Sequence, residues 1–148
     1  MKDKTIDYIL RTTWLSVQKM YNEEAAKFES TMATGFTLLS IDPEKGTPST
    51  ALGPKMGMEA TSLSRILKTM EKKGLIERHP NPDDGRGVII SLTNFGREKR
   101  AYSKEKVLLF NEAIRNNVSE DKLKHFYEVS DVINDLVSNK KIYNQSDS

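Results

Sequence analysis

The sequence predicts a mainly α-helical chain with one small β-hairpin, and three observations carry that prediction. Apolar residues recur at three- and four-residue steps through most of the 148 residues. Two β-prone runs, 75–78 and 88–92, flank a segment dense in turn formers. Gly and Pro punctuate the chain where these patterns change. At 36% apolar and 30% charged residues, the chain has material for one core but not for two independent ones, so a single domain over 1–148 is expected.

Residues 4–30 place Ile6, Ile9, Leu10, Val17, Met20 and Tyr21 on one stripe with no Gly or Pro to break it, which reads as a long amphipathic helix. A shorter helix, Phe36 to Ile41, is an apolar run ended by Asp42-Pro43, because proline disfavours helix in the residue before it. Glu44-Lys45-Gly46 is a turn. Thr47 then has the chemistry of an N-cap with Pro48 at the first helical position, and the helix it starts must stop between Pro54 and Gly57. From Ala60 to Lys73 the next helix carries Leu63, Ile66, Leu67 and Met70 on one stripe, and Gly74 supplies a left-handed stop. Two helices joined by a tight turn result.

The two β-prone runs pair as a hairpin with a long tip, 79–87. Thr93 is placed to cap a helix running to about Asn116, and Ser119 to cap a last one with Leu123, Phe126, Val129, Val132, Ile133 and Leu136 on its apolar face. The polar stretch 139–148 is expected to be a flexible tail.

Composition removes several function classes. No run approaches the roughly 18 apolar residues of a membrane span, and the first residues lack a signal-peptide apolar region, so a cytoplasmic protein without membrane contact is expected. Cysteine is absent, which excludes disulfides and thiol chemistry. With only His79 and His125, and no Gly-rich phosphate loop, paired metal ligands or nucleophile motif, an enzyme, a metal site and a cofactor are not expected. The net charge of +2 hides an asymmetry: residues 44–106 hold thirteen Lys/Arg against eight Asp/Glu, and the flanks ten against thirteen. A basic centre between acidic ends suits a polyanionic partner.

The helix at 60–72 has the division that a DNA major groove requires. With Leu63, Leu67 and Met70 inward, Thr61, Arg65 and Lys68 turn to the opposite side and Ser62 and Ser64 to the flanks. Arg grips guanine bidentately, and Ser or Thr contacts a base edge or a phosphate. A hairpin directly after such a helix pair has the shape of a wing, giving a winged helix-turn-helix. Arg86 near the wing's tip suits the narrow, negative minor groove, and Asp84 is close enough to orient its guanidinium.

The order Pro48-Ser49-Thr50-Ala51-Leu52, then Met58-Glu-Ala-Thr-Ser-Leu-Ser-Arg65, Met70-Glu-Lys-Lys-Gly-Leu-Ile-Glu-Arg78, Asp84-Gly-Arg86 and Ser91-Leu-Thr-Asn-Phe-Gly96 strongly resembles the MarR family of bacterial winged-helix transcriptional regulators. The resemblance implies a homodimer on double-stranded DNA, with the 60–72 helix in the major groove and the wing in the minor groove. Thr61, Ser62, Ser64, Arg65 and Lys68 become readout or phosphate contacts, Asp84 and Arg86 the wing pair, and Ser49, Thr50 and Lys55 phosphate contacts from the preceding helix. Residues 5–33 and 95–138 become dimerisation helices around a winged part at 36–93; their apolar stripes exceed what a small winged core covers. Trp14, Gln18 and Tyr21 become candidates for a small-molecule effector pocket. One departure is Glu59 at the start of the recognition helix, where the family commonly has Ser or Asp. It either accepts from a cytosine amino group or complements the helix dipole, the latter being favoured.

The function expected is thus a sequence-specific DNA-binding transcriptional regulator, a ligand-responsive repressor acting as a homodimer on a pseudo-palindromic operator. The alternative is a winged-helix protein-interaction module without DNA binding.

Overall fold

The computed structural model describes residues 4–144, apart from the side chain of Arg86. The last residues of the expected tail, 145–148, lie outside the described residues. The chain divides into two compact units, Met1–Glu105 and Lys106–Ser148.

The first unit opens with α1, Ile6–Ala26, capped by the Thr5 hydroxyl. This helix is shorter than the 4–30 stripe predicts. Glu29 adopts φ 56°, a left-handed conformation that ends helical propagation, and the Asn22 carboxamide oxygen accepts from the Met32 N–H at 2.9 Å. The next helix, α2, therefore starts earlier than expected and covers Met32–Ser40, with Thr31 as its N-cap.

Thr47 and Pro48 differ from expectation too. They form a short strand, β1, and α3 follows over Ser49–Met56 with Pro48 itself at the N-cap and no side-chain cap. The Thr47 hydroxyl is engaged elsewhere, accepting the Asp42 N–H at 2.8 Å to close the preceding turn. The Asp42 carboxylate accepts from Glu44 and Lys45 N–H groups at 2.9 and 3.0 Å, and these bonds, Lys45's first, hold its pKa below the ordinary aspartate value.

Helix α4, Ala60–Lys72, buries Leu63, Leu67 and Met70. With Leu38, Ile41, Leu52, Ile76, Ile90 and Leu92 they form the core of this unit, with Ile66 packed at its edge. Strands β2 (Ile76–Asn81) and β3 (Asp84–Leu92) pair antiparallel, and β1 joins on the far side of β3 in the order β1-β3-β2. The hairpin is longer and its tip tighter than predicted. Pairing continues through His79↔Ile89 and Pro80↔Val88 to Asn81↔Asp84, with an irregularity at Pro80/Asn81. Pro80 is accommodated because β2 is an edge strand, so its missing N–H leaves no inner ladder bond open.

The junction between α4, the hairpin and the following helix is where the backbone is most constrained. Gly74 ends α4 at φ 75°. The Thr93 hydroxyl donates to the Gly74 carbonyl at 2.6 Å and accepts from the Gly96 N–H at 2.9 Å, while the Thr93 N–H donates to the Leu75 carbonyl at 3.1 Å. Thr93 thus starts α5, Asn94–Asn117, as the sequence predicts. A Cβ on Gly96 would collide with the Leu75 carbonyl oxygen, so only glycine permits this crossing.

The second unit consists of the end of α5 and α6, Glu120–Ser138, whose N-cap Ser119 accepts from the Lys122 N–H. Beyond α6 the chain turns back, with the Lys141 N–H donating to the Leu136 carbonyl at 2.9 Å.

Thr93→Val should lower unfolding free energy by about 1–3 kcal/mol, because it removes both a cap and a carbonyl partner; urea denaturation reads this. Gly96→Ala should cost more than Thr93→Val in the same assay. Asp42 should titrate below the unfolded value of about 3.9, so its contribution to stability is complete above that value and is lost as pH falls through the lower folded pKa. A carboxyl NMR titration of the wild type checks the midpoint, and Asp42→Asn should flatten that part of the acid limb.

Candidate nucleic-acid interface

The recognition-helix candidates share one exposed face. Thr61, Ser62, Ser64, Arg65 and Lys68 are all exposed on α4, opposite the buried Leu63, Leu67 and Met70. Neither Arg65 nor Lys68 has a side-chain ion pair among the described residues. Glu59 occupies the N-cap in an extended conformation, makes no side-chain cap bond and is exposed. Its longer side chain does not close the short ring that Ser or Asp closes.

On α3, Ser49 is half-buried while Thr50 and Lys55 are exposed. The Lys55 ammonium donates to the Ser40 carbonyl at 3.3 Å. A lysine has three donors, so this bond leaves two for an anion.

In the wing, Asp84 begins β3 and Arg86 lies within that strand rather than in a loop; the Arg86 side chain is outside the described residues. The two tip glycines differ. A Cβ on Gly85 would meet nothing within 4 Å, whereas one on Gly87 would come within 3.2 Å of an Asp84 carboxylate oxygen and 3.3 Å of Asn81 Cβ. The close approach that Gly87 allows is therefore within the wing itself.

Sequence reasoning missed the tie between wing and helix. Arg78 Nε on β2 lies 3.2 Å from Glu71 Oε2 on α4. The available signal was the placement of opposite charges on either side of the Gly74 turn. Both side chains are partly exposed, at 33% and 46%, so the pair orients more than it stabilises.

The candidate pocket residues lie on one side of α1. Tyr21 packs edge-to-face on Phe36 of α2 with ring centroids 5.6 Å apart, and burial raises its phenol pKa. Gln18 is half-buried and Trp14 exposed. An open groove in the second unit has other walls, among them Arg115, Leu123, Lys124 and Tyr127. Among the described residues no group of His, Asp and Glu is arranged to hold a metal, and no helix is long and apolar enough to cross a membrane.

Residues 31–88 match the family model for the MarR family. The chain is 28% identical over 116 residues to the HTH-type transcriptional regulator SarZ of Staphylococcus saprophyticus, covering 75% of this chain and 80% of that protein. The segment that matches the MarR family model spans 58 of the 148 residues. The chain is thus similar to MarR-family transcriptional regulators, and the relatives it matches are regulators rather than enzymes. Solved MarR-type structures have the same fold. The crystal structure of the S. aureus MepR–DNA complex superposes with a TM-score of 0.80 at 19% identity, over 90% of this chain and 99% of that one. The PcaV regulator of Streptomyces coelicolor with its natural ligand superposes with a TM-score of 0.77 at 16% identity, over 90% and 94%. The winged helix-turn-helix read from the sequence is the fold observed.

A double-mutant cycle with Glu71→Gln and Arg78→Gln should give a coupling below about 1 kcal/mol that shrinks with added salt. A coupling of several kcal/mol, insensitive to salt, would mean that the pair is far less hydrated than its exposure indicates.

Proposed function

We propose that this chain is a MarR-family regulator, a homodimeric, ligand-responsive repressor that binds a pseudo-palindromic DNA operator. The observation that carries the reading is the exposed polar face of α4, where Arg65 and Lys68 have no ion pair among the described residues and are backed by the buried Leu63, Leu67 and Met70. Arg65 is assigned base readout, Thr61, Ser62, Ser64 and Lys68 base or phosphate contacts, and Ser49, Thr50 and Lys55 phosphate contacts. Asp84 and Arg86 are assigned to the minor groove on sequence grounds. The MepR–DNA structure supports the assignment through its fold.

Dimerisation is supported by apolar surface that one chain leaves uncovered. Ile6 and Leu15 on α1, and Phe126, Val129, Val132 and Val137 on α6, are 55–70% exposed. Exposed apolar surface on this scale marks an association face, and a second copy supplies matching helices. Occupancy of an operator by such a dimer blocks access of other proteins to the same DNA. An effector bound near Trp14, Gln18 and Tyr21 would displace α1, which is tied to the start of α2 through Asn22; the ligand-bound PcaV structure supports a ligand-responsive regulator by analogy.

Selection of bound fragments from a random DNA pool tests the core of this reading. The expected product is a two-fold motif with half-site centres about 10 base pairs apart. Recovery of no motif, together with DNA affinity that does not depend on salt, would favour a protein-interaction module instead. Arg65→Ala should cost about 1–3 kcal/mol and relax preference at one base position. Equal weakening on all sequences would demote Arg65 to a phosphate contact.

A further inference from the structure

Helix α2 ends without a basic residue in its last turn, yet its last three carbonyl groups all accept hydrogen bonds; apart from the Ile41 N–H, which donates to the Leu38 carbonyl at 3.4 Å, the donors are side chains of other elements. Arg100, in the second turn of α5 and half-buried, donates from Nε to the Leu38 carbonyl at 3.2 Å and from a terminal nitrogen to the Leu39 carbonyl at 3.5 Å. Lys55 takes the Ser40 carbonyl. One turn earlier on α5, Arg97 donates from Nε to the Pro43 carbonyl at 3.1 Å and is itself oriented by the Asn94 carboxamide at 3.1 Å. Neither arginine has a carboxylate partner among the described residues. Both guanidinium groups hold neutral carbonyls at the negative end of a helix and in the turn beyond it.

That turn has a particular destination. It leads directly into Thr47-Pro48, which pair with Ile90 and Ile89 of the wing strand, and then into α3, the first helix of the helix-turn-helix. Whatever fixes the end of α2 therefore fixes the wing's inner edge and the helix that precedes α4. Capping the end of α2 does not by itself require arginine here. A C-terminal glycine or a surface lysine would cap α2 locally, but without reaching from α5.

We propose that Arg97 and Arg100 are positioning residues for DNA recognition, a clamp by which α5 sets the placement of β1 and α3 under the DNA-reading elements. This rests on the DNA-binding reading given above. The clamp acts through backbone carbonyls rather than through phosphate contact, and that difference is measurable.

The test uses the full chain, with Arg100→Ala and Arg100→Lys, at a temperature where circular dichroism shows each variant folded. Two quantities are read: affinity for the selected operator as a function of salt, and amide hydrogen exchange over residues 47–56 in the free protein. Arg100→Ala should weaken operator binding about tenfold with a change in salt slope far smaller than a lost phosphate contact gives, and should speed exchange over β1 and α3. Arg100→Lys retains one of the two bonds and should recover part of both effects. A slope lowered by about one would make Arg100 a phosphate contact and overturn the proposal. Unchanged affinity with a lower melting temperature would leave Arg100 a purely structural residue and also overturn it. If the wild type binds no DNA, the reading in the previous section fails, whereas unchanged exchange in Arg100→Ala refutes the clamp whether or not DNA binds.

Discussion

The crossing of two chain segments at Gly74-Leu75 and Thr93–Gly96 is the constraint on which the DNA-reading half of the molecule depends. One hydroxyl, that of Thr93, serves the end of the recognition helix and the start of α5 at once, donating to the Gly74 carbonyl and accepting the Gly96 N–H. The absence of a side chain at Gly96 lets α5 start against the Leu75 carbonyl. Because β2 leaves this point and β3 returns to it, the direction of the wing relative to α4 is set by hydrogen bonds between backbone groups and a single hydroxyl. Burial of Leu75, Ile76 and Leu92 limits water's access to the Thr93–Gly96 bond, whereas the bond to the Gly74 carbonyl lies at the surface. The Glu71–Arg78 pair adds orientation farther along the strand, where solvent screens it.

The same solution recurs at other helix ends. A helix leaves its last four carbonyls without internal partners, and here long cationic side chains from other elements supply donors for them or for the turns beyond. Arg100 and Lys55 serve α2. Lys73, at the end of α4, donates to the Glu29 carbonyl at 2.9 Å in the left-handed bend between α1 and α2. Each bond joins elements far apart in sequence, so the helices of the first unit are braced by side-chain-to-backbone bonds as well as by apolar packing. Backbone carbonyls occupy fixed positions, whereas a carboxylate partner on a flexible side chain would not fix the geometry as closely.

Much of this was legible in the sequence because local chemistry and tertiary context agree. The stripe of Leu63, Leu67 and Met70 fixes the buried face of α4, and its complement fixes the exposed candidates Thr61, Arg65 and Lys68 without any knowledge of packing. Thr93 and Ser119 are caps whose function is local, and both were readable. What failed to show was non-local. Thr47 looks like a helix cap, but its hydroxyl is claimed by the Asp42 N–H across a turn and its backbone by β3. The wing strands continue past Pro80 because β2 happens to be an edge strand, which depends on where β1 docks. The early start of α2 reflects a bend at Glu29 in a segment whose composition carries no glycine or proline to mark it. Arg97 and Arg100 were read only as part of a charge excess, since their partners are carbonyl groups that a sequence does not distinguish.

That last point changes how the basic centre of the chain is understood. A cation paired with a carboxylate, such as Arg78 with Glu71, contributes little to the field felt by a distant anion. A cation bonded to a carbonyl remains fully charged. Lys55, Lys73, Arg97 and Arg100 are of the second kind, so they hold the fold together while adding to the positive potential over the range of about 8 Å that physiological salt allows. Arg65 and Lys68 have no such engagement among the described residues and keep their donors for a partner. Counting charges along the sequence therefore gives the attraction toward a polyanion correctly but overstates the number of contacts. The internal cations add to the field that would draw a polyanion in and brace the scaffold, while the function proposed above leaves base discrimination to a few side chains on one face of α4.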